Sequence, residues 1–387
     1  MNILFLLRSL NVGGVEVVTA TLANKFAQEG HYVHVFAFEK RSGLLVNRLN
    51  EGVHLTIAGR YRVSDDNIQL LKHVLINNEI NVVINQWGLP LIPIRTLCKA
   101  KKSLSVMVIS VYHNDPLRNG RIGDLDVELE RTKDKIKSFF LTTKRFVFRC
   151  VTGFSMRYIY QESNYFVVLS SSYISHFQEY SKLTQTPKLK ALANPVTIDN
   201  YGFEYNARNK KCEVIYMGRL ESNQKRIFRV VDVWQILERH SQDWYLTIVG
   251  DGPERDALKE IVQKKKIRRV SIEGYQHPKP YYERASILLL TSDFEGFPLV
   301  LSECMSFGVV PVVYGSFSAV YDIIDDGVNG YIIPQSSEGF DANIMAEKVQ
   351  LLMNDKPKLD RMAISAIKKS KSFSIDRTYQ QWMEIID

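Results

Sequence analysis

Short apolar runs alternate with helix-length periodic segments from the start of the chain. Ile3, Leu4, Phe5, Leu6 and Leu7 are apolar without interruption, the pattern of a strand covered on both faces rather than the two-residue alternation of a half-exposed one. Gly13 and Gly14 then open a segment in which Val17, Leu22, Ala23, Phe26 and Ala27 fall on one helical face, Gly30 ends it, and residues 32–38 read as the next strand. A strand, loop, helix and strand in this order begin a doubly wound parallel sheet. The same grammar recurs at residues 81–84, 105–112 and 165–169.

A second series of buried-strand runs occupies residues 213–217, 244–249, 270–273, 287–290 and 309–314. The intervening residues 197–211 are polar and aperiodic, as an interdomain linker is. Near the other end, Ser374 reads as the cap of a helix over 375–386, whose Tyr379 and Trp382 need a surface to pack on. The expected fold class is therefore α/β, with two Rossmann-like doubly wound parallel-sheet domains facing a cleft. Ligands belong at the carboxyl ends of such strands.

Composition narrows the function classes. The 387 residues are 45% hydrophobic and 24% charged, as in an ordinary globular protein, so wholesale disorder and a single small module are excluded. Net charge is +8, but residues 1–200 carry +9 and the remainder −1, so the basic surplus belongs to the first half. Cys98, Cys150, Cys212 and Cys304 are far apart, without zinc-ligand spacing, which fits a reducing compartment. The first apolar run is shorter than the seven or so residues of a signal-peptide core, and no stretch approaches the roughly 18 apolar residues of a membrane span. The expected location is cytoplasmic.

The most informative segment follows the run at 287–290 and reads Glu295, Gly296, Phe297, Pro298, Leu299, Val300, Leu301, Ser302, Glu303. Pro298 suits the first turn of a helix, whose amides near Phe297 and Leu299 would then face a ligand. Two carboxylates at this spacing suit a polyhydroxylated ligand, although spacing alone equally allows two solvated surface residues. After the run at 213–217, Gly218 and Arg219 are followed six residues later by Lys225, a guanidinium and an ammonium suited to a diphosphate leaving group or to an ordinary surface pair. Gly250 sits in a further strand-to-helix turn, with Asp251 and Gly252 after it. His113 follows the strand at 105–112.

The run from Thr291 to Val313 resembles the E-x7-E signature of the retaining glycosyltransferases of family four, which adopt the GT-B fold. The resemblance implies domains at residues 1–196 on the acceptor side and 197–373 for the nucleotide sugar, with a helix at 374–387 crossing back onto the first domain. It also implies a retaining hexosyltransferase that moves a sugar from a nucleotide diphosphate sugar to a glycan or a polyprenyl-diphosphate-linked acceptor in cell-surface polysaccharide assembly. In that setting Arg219 and Lys225 neutralise the diphosphate, Glu303 accepts from the ribose hydroxyls, and Glu295 with the amides near Phe297 holds the sugar. His113 donates to a sugar hydroxyl from the opposite domain. Gly13 and Gly14 resemble the family's glycine-rich loop, where phosphates meet backbone amides. Gly218 and Gly250 belong to the donor loops, the latter near the base. Arg226 departs from the pattern, since the family commonly has glycine after the lysine.

No acidic D-x-D pair is present where a divalent ion would bridge the diphosphate, so no obligatory metal and no cofactor are expected. A disaccharide synthase or phosphorylase of the same fold is an alternative, as is a non-catalytic nucleotide-sugar-binding subunit. A nucleic-acid partner is not expected, because a basic pI without an RNA or DNA module is weak grounds for one.

Donor chemistry leaves one segment unexplained. Residues 131–160 carry eight basic side chains (Arg131, Lys133, Lys135, Lys137, Lys144, Arg145, Arg149 and Arg157) and one acid, Asp134, interleaved with Phe139, Phe140, Phe146, Phe148 and Phe154. Basic and aromatic residues so mixed suit an interfacial helix on an anionic membrane, which would make the protein peripheral on the cytoplasmic face. The same composition also fits an amphipathic helix whose Lys and Arg stems snorkel along it.

Overall fold

The computed structural model describes residues 1–11, 13–39, 46–118 and 120–387. They divide into two compact units: Met1–Thr197 with Ile375–Asp387, and Ile198–Ser374. These divisions fall one residue beyond the boundaries expected from the linker and the capping serine.

The first unit contains β1 (Asn2–Ser9), α1 (Gly14–Gln28), β2 (Tyr32–Glu39), β3 (Val53–Ile57), α2 (Asp65–Asn77), β4 (Val82–Asn85), α3 (Leu91–Ala100), β5 (Met107–Tyr112), α4 (Gly120–Arg131), α5 (Lys135–Glu162), β6 (Tyr165–Val168), α6 (Tyr173–Ser181) and β7 (Leu189–Ala191). Its seven described strands lie in the order β3-β2-β1-β4-β5-β6-β7 and pair in parallel. Phe5 registers with Val35 on one side and Ile84 on the other, and all three are fully buried, which is why β1 shows no alternation. Asp134 caps α5 by accepting from the amides of Ile136 (2.8 Å) and Lys137 (3.2 Å).

The second unit contains β8 (Glu213–Met217), α7 (Ile227–Leu237), β9 (Tyr245–Val249), α8 (Arg255–Lys264), β10 (Val270–Gly274), α9 (Lys279–Arg284), β11 (Ile287–Leu290), α10 (Leu299–Ser306), β12 (Val310–Gly315), α11 (Val320–Ile323), β13 (Tyr331–Pro334), α12 (Ala342–Asn354) and α13 (Lys356–Ser370). Its sheet runs β10-β9-β8-β11-β12-β13, all parallel, around a core that includes Trp234, Tyr216, Leu289 and Val349.

The last helix, α14 (Ile375–Ile386), belongs to the first unit and packs on α1. The Tyr379 ring meets Phe26 edge-on at 5.0 Å, and its hydroxyl lies 2.8 Å from His31 Nε2. Lys25 pairs with Asp376 at 2.5 Å, and Trp382 is buried. The surface that Tyr379 and Trp382 required is therefore α1 and its neighbours.

Both strand orders reverse direction beside their first strand, between β1 and β4 in one unit and between β8 and β11 in the other. Such switch points open a crevice at the carboxyl ends of the two strands. Gly13 and Gly14 follow β1, Gly218, Arg219 and Lys225 follow β8, and Glu295 follows β11, while His113 and Gly250 follow the neighbouring strands β5 and β9.

Candidate active site

At the β8/β11 switch point two loops are laced together. The Thr291 hydroxyl donates to the carbonyls of Lys225 (3.2 Å) and Arg226 (3.3 Å), and the Asp293 amide donates to the carbonyl of Gln224 (2.8 Å). Gln224 Nε2 in turn donates to the carbonyl of Phe294 (3.0 Å). Asp293 receives the guanidinium groups of Arg226 and Arg229. Arg226 has φ of 50°, in the left-handed region, immediately before α7. Glycine tolerates that backbone and other residues are strained by it, and Arg226 holds it while its guanidinium pairs with Asp293.

On this frame Lys225 Nζ lies 2.5 Å from Glu295 Oε1, and Gln224 Nε2 lies 3.2 Å from Oε2 of the same carboxylate. Glu295 is 6% exposed and Glu303 8%, which rules out two solvated surface residues. Glu303 accepts from the Tyr282 hydroxyl at 3.3 Å. The Tyr282 phenol is pushed well up, first by burial and then by the Glu303 charge.

Arg219 is not drawn into this pair. Its side chain is 68% exposed, with Nε 3.6 Å from a Glu221 carboxylate oxygen, while its carbonyl accepts from the Tyr216 hydroxyl at 2.9 Å. The Tyr216 phenol is raised first by burial and then by the charges of Glu295 and Glu221. The two cations expected to act together thus differ: Lys225 is held by Glu295, and Arg219 extends into solvent.

Pro298 stands one position ahead of the helix rather than inside its first turn, with Leu299 the first residue of α10. Gly296, Phe297 and Pro298 are buried, and the Phe297 ring packs edge-on against Phe373 at 5.3 Å. Gly250 (φ 145°) is required by a close backbone crossing, because a Cβ there would lie 1.8 Å from the carbonyl oxygen of Gly218.

In the first unit Gly13 precedes α1 and Gly14 begins it. A Cβ on Gly13 would lie 2.5 Å from Glu16 Oε2. Glu16 is buried, which raises its pKa. The helix end expected to meet phosphates therefore already has the chain's own carboxyl against it. His113 follows β5, and its Nε2 is 2.6 Å from Gln86 Oε1. Burial pushes the imidazole down to about 3, so it is neutral near pH 7. The side chain of Arg131 lies outside the described residues.

Two residues central to this geometry carry no sequence signal of their own: Asp293, whose partners are more than 60 positions away, and Gln86, a polar residue directly after a buried strand. Among the described residues no group of three His, Cys, Asp or Glu is placed to hold a metal ion.

A family model described as Glycosyltransferase Family 4 matches residues 12–190, and one described as Glycosyl transferases group 1 matches residues 197–369. The chain belongs to glycosyltransferase family 4. The transferase is 25% identical over 390 residues to a Campylobacter jejuni protein, covering 100% of this chain and 98% of the relative. That relative is named GalNAc-alpha-(1->4)-GalNAc-alpha-(1->3)-diNAcBac-PP-undecaprenol alpha-1,4-N-acetyl-D-galactosaminyltransferase. The fold is GT-B. The apo lipopolysaccharide outer core galactosyltransferase WaaB superposes with a TM-score of 0.69 at 18% identity, over 100% of this chain and 99% of that one. Anabaena Alr3699/HepE in complex with UDP superposes with a TM-score of 0.74 at 15% identity, over 99% of each chain.

Proposed function

We propose that the transferase moves a sugar from a nucleotide diphosphate sugar, with retention at the anomeric carbon, to a lipid-linked acceptor in cell-surface glycan assembly. The observation that carries the donor half is the buried Glu295 carboxylate held by Lys225 at the mouth of β8 and β11. A donor diphosphate entering there exchanges the Lys225–Glu295 contact for one between Lys225 and phosphate, which frees Glu295 for the sugar hydroxyls. Arg219, already extended, closes on the same diphosphate. As the bond from the anomeric carbon to the phosphate oxygen breaks, its electron pair goes to the diphosphate and the two cations stabilise that charge. The acceptor oxygen bonds to the anomeric carbon on the face the diphosphate leaves and passes its proton to the departing phosphate oxygen. Glu303, braced by Tyr282, accepts from the ribose, and His113 meets a sugar hydroxyl. These cations supply the positive charge, so no obligatory metal is proposed; chelator-abolished activity restored by magnesium or manganese overturns that. Because a bound donor stabilises the folded state, a panel of nucleotide sugars scored by thermal shift identifies it, with UDP sugars tried first. No stabilisation by any of them overturns the donor site.

The acceptor half is supported by the Campylobacter relative, whose name specifies an undecaprenol-linked substrate, and by α5. Phe139, Phe140, Phe146 and Phe154 each stand more than half exposed on α5, while Leu141, Met156 and Ile159 face inward. Exposed rings in that number do not fit an ordinary amphipathic helix. Part of the basic charge is already paired: Lys137 with Glu128 (3.1 Å), Arg145 with Asp126 (2.5 Å) and Arg149 with Glu179 (3.7 Å). Lys135 and Lys144 stand exposed on the same helix, with exposed Lys133 just ahead of it. Rings and lysines on one helix fit an anionic lipid surface. No described helix is long and apolar enough to cross a membrane, so peripheral attachment is the arrangement proposed. Equal binding to anionic and neutral vesicles at low salt overturns it.

A further inference from the structure

The pair formed by Gln86 and His113 has a chemical consequence. Gln86 is the first residue after β4, and His113 the first after the adjacent β5, which register through Asn85 and Ser110. The backbone around Gln86 is fixed on two sides. Its amide donates to the carbonyl of Leu6 (2.9 Å), and the Gly88 amide donates to the carbonyl of Val111 (2.8 Å). A Cβ at Gly88 would lie 2.4 Å from that same carbonyl oxygen, so this turn is pressed against the end of β5. The Gln86 side chain is 2% exposed, its Oε1 lies 2.6 Å from His113 Nε2, and its own Nε2 has no hydrogen-bond partner.

We infer that Gln86 is a positioning residue that locks His113 in the Nε2–H tautomer and leaves Nδ1 as a hydrogen-bond acceptor for a sugar hydroxyl. A carboxamide oxygen can only accept, so the imidazole nitrogen facing it carries the ring's single proton, and the other nitrogen keeps its lone pair. His113 then reads a hydroxyl by accepting from it, the reverse of the donation expected from the sequence. The Nε2 edge is closed to substrate. Gln86 Oε1 occupies Nε2, and the void that Gln86 and His113 line with Asn194 and Trp382 is about 10 Å³, far too small for a sugar, which leaves Nδ1 as the nitrogen for a hydroxyl. The inference rests on the proposed contact between His113 and the sugar, and the test separates the two.

The test is ring-¹⁵N NMR of the full-length protein at pH 7 without ligand, with the His113 signals assigned from H113Q. Wild type should show Nε2–H. Q86M, which has no acceptor at that position, should lose the lock, with turnover falling roughly three- to tenfold, the worth of one neutral hydrogen bond. Q86E, which keeps an acceptor oxygen, should restore the Nε2–H signal. A wild-type Nδ1–H signal, which a reversed amide of Gln86 would produce, overturns the inference, as does a Q86M spectrum identical to wild type. Addition of the nucleotide sugar found by thermal shift should move the Nδ1 resonance. If Nε2–H is observed and Gln86-dependent but no donor or acceptor sugar moves Nδ1, the sugar contact is overturned while the positioning by Gln86 stands.

Discussion

Removing Lys225 should separate the stability of the proposed donor site from its chemistry. In K225M the Glu295 carboxylate, 6% exposed, loses its ammonium and keeps the Gln224 amide at 3.2 Å. Removing one partner of a buried ion pair costs about 3–5 kcal/mol. Lys225 is itself 20% exposed, and water screens part of the charge, so a loss of about 2–3 kcal/mol is expected. For a unit of this size that lowers the melting temperature by about 2–4 °C per kcal/mol. Adding E295Q removes the stranded charge, and most of the loss should return. Turnover should fall by about 10²–10³ in K225M, as for loss of one preorganised group facing developing charge, and stay low in the double variant. Calorimetry of the single and double variants, beside rates with the identified donor, gives both readouts. If the double variant is no more stable than K225M, Lys225 does not neutralise Glu295. If K225M turns over at the wild-type rate, Lys225 does not act on the diphosphate.

Three further outcomes are expected. Gly250→Ala places a methyl group on the Gly218 carbonyl at a left-handed φ and should cost about 3 kcal/mol or more, read as a lower urea midpoint; a neutral effect would mean that the two turns do not cross as described. Trp382→Ala should cost about 3–5 kcal/mol, with hydrogen exchange accelerated in α1 and β1 rather than in the second unit. His34 is pushed from an ordinary 6.5 down to about 4 by burial and then by the neighbouring His54. The unfolded chain therefore takes up a proton below pH 6.5 that the folded chain refuses, so stability is complete above 6.5 and falls toward pH 4, by about 3 kcal/mol. Urea melts across that range should show the slope, and H34Q should reduce it without abolishing it, because His113 contributes in the same direction.

The fold was readable in the sequence to the extent that strands are buried on both faces. Residues 3–7 and 287–290 announce themselves because no position along them is polar, whereas β3 (Val53–Ile57) alternates apolar Val53, Leu55 and Ile57 with His54 and Thr56 and is buried only at Val53, so a reading tuned to continuous apolar runs passes it over. The two glutamates were readable as a spacing but not as buried groups, since burial comes from the second loop that Thr291 and Gln224 tie down. Arg226 was readable only as a departure from a pattern, and its left-handed backbone is what gives that departure a physical meaning. Asp293 and Gln86 were out of reach because their partners come together only when adjacent strands pair.

The return of α14 to α1 also orders events during synthesis. Residues 1–197 leave the ribosome first, yet the face of α1 that receives Tyr379 and Trp382 stays bare until the whole second unit has been translated. At about 5–20 residues per second, that interval lasts on the order of ten seconds or more. The half of the protein made earliest is therefore the last to mature, and a nascent chain arrested just after Ser374 would carry a complete second unit and a first unit whose α1 face is still bare.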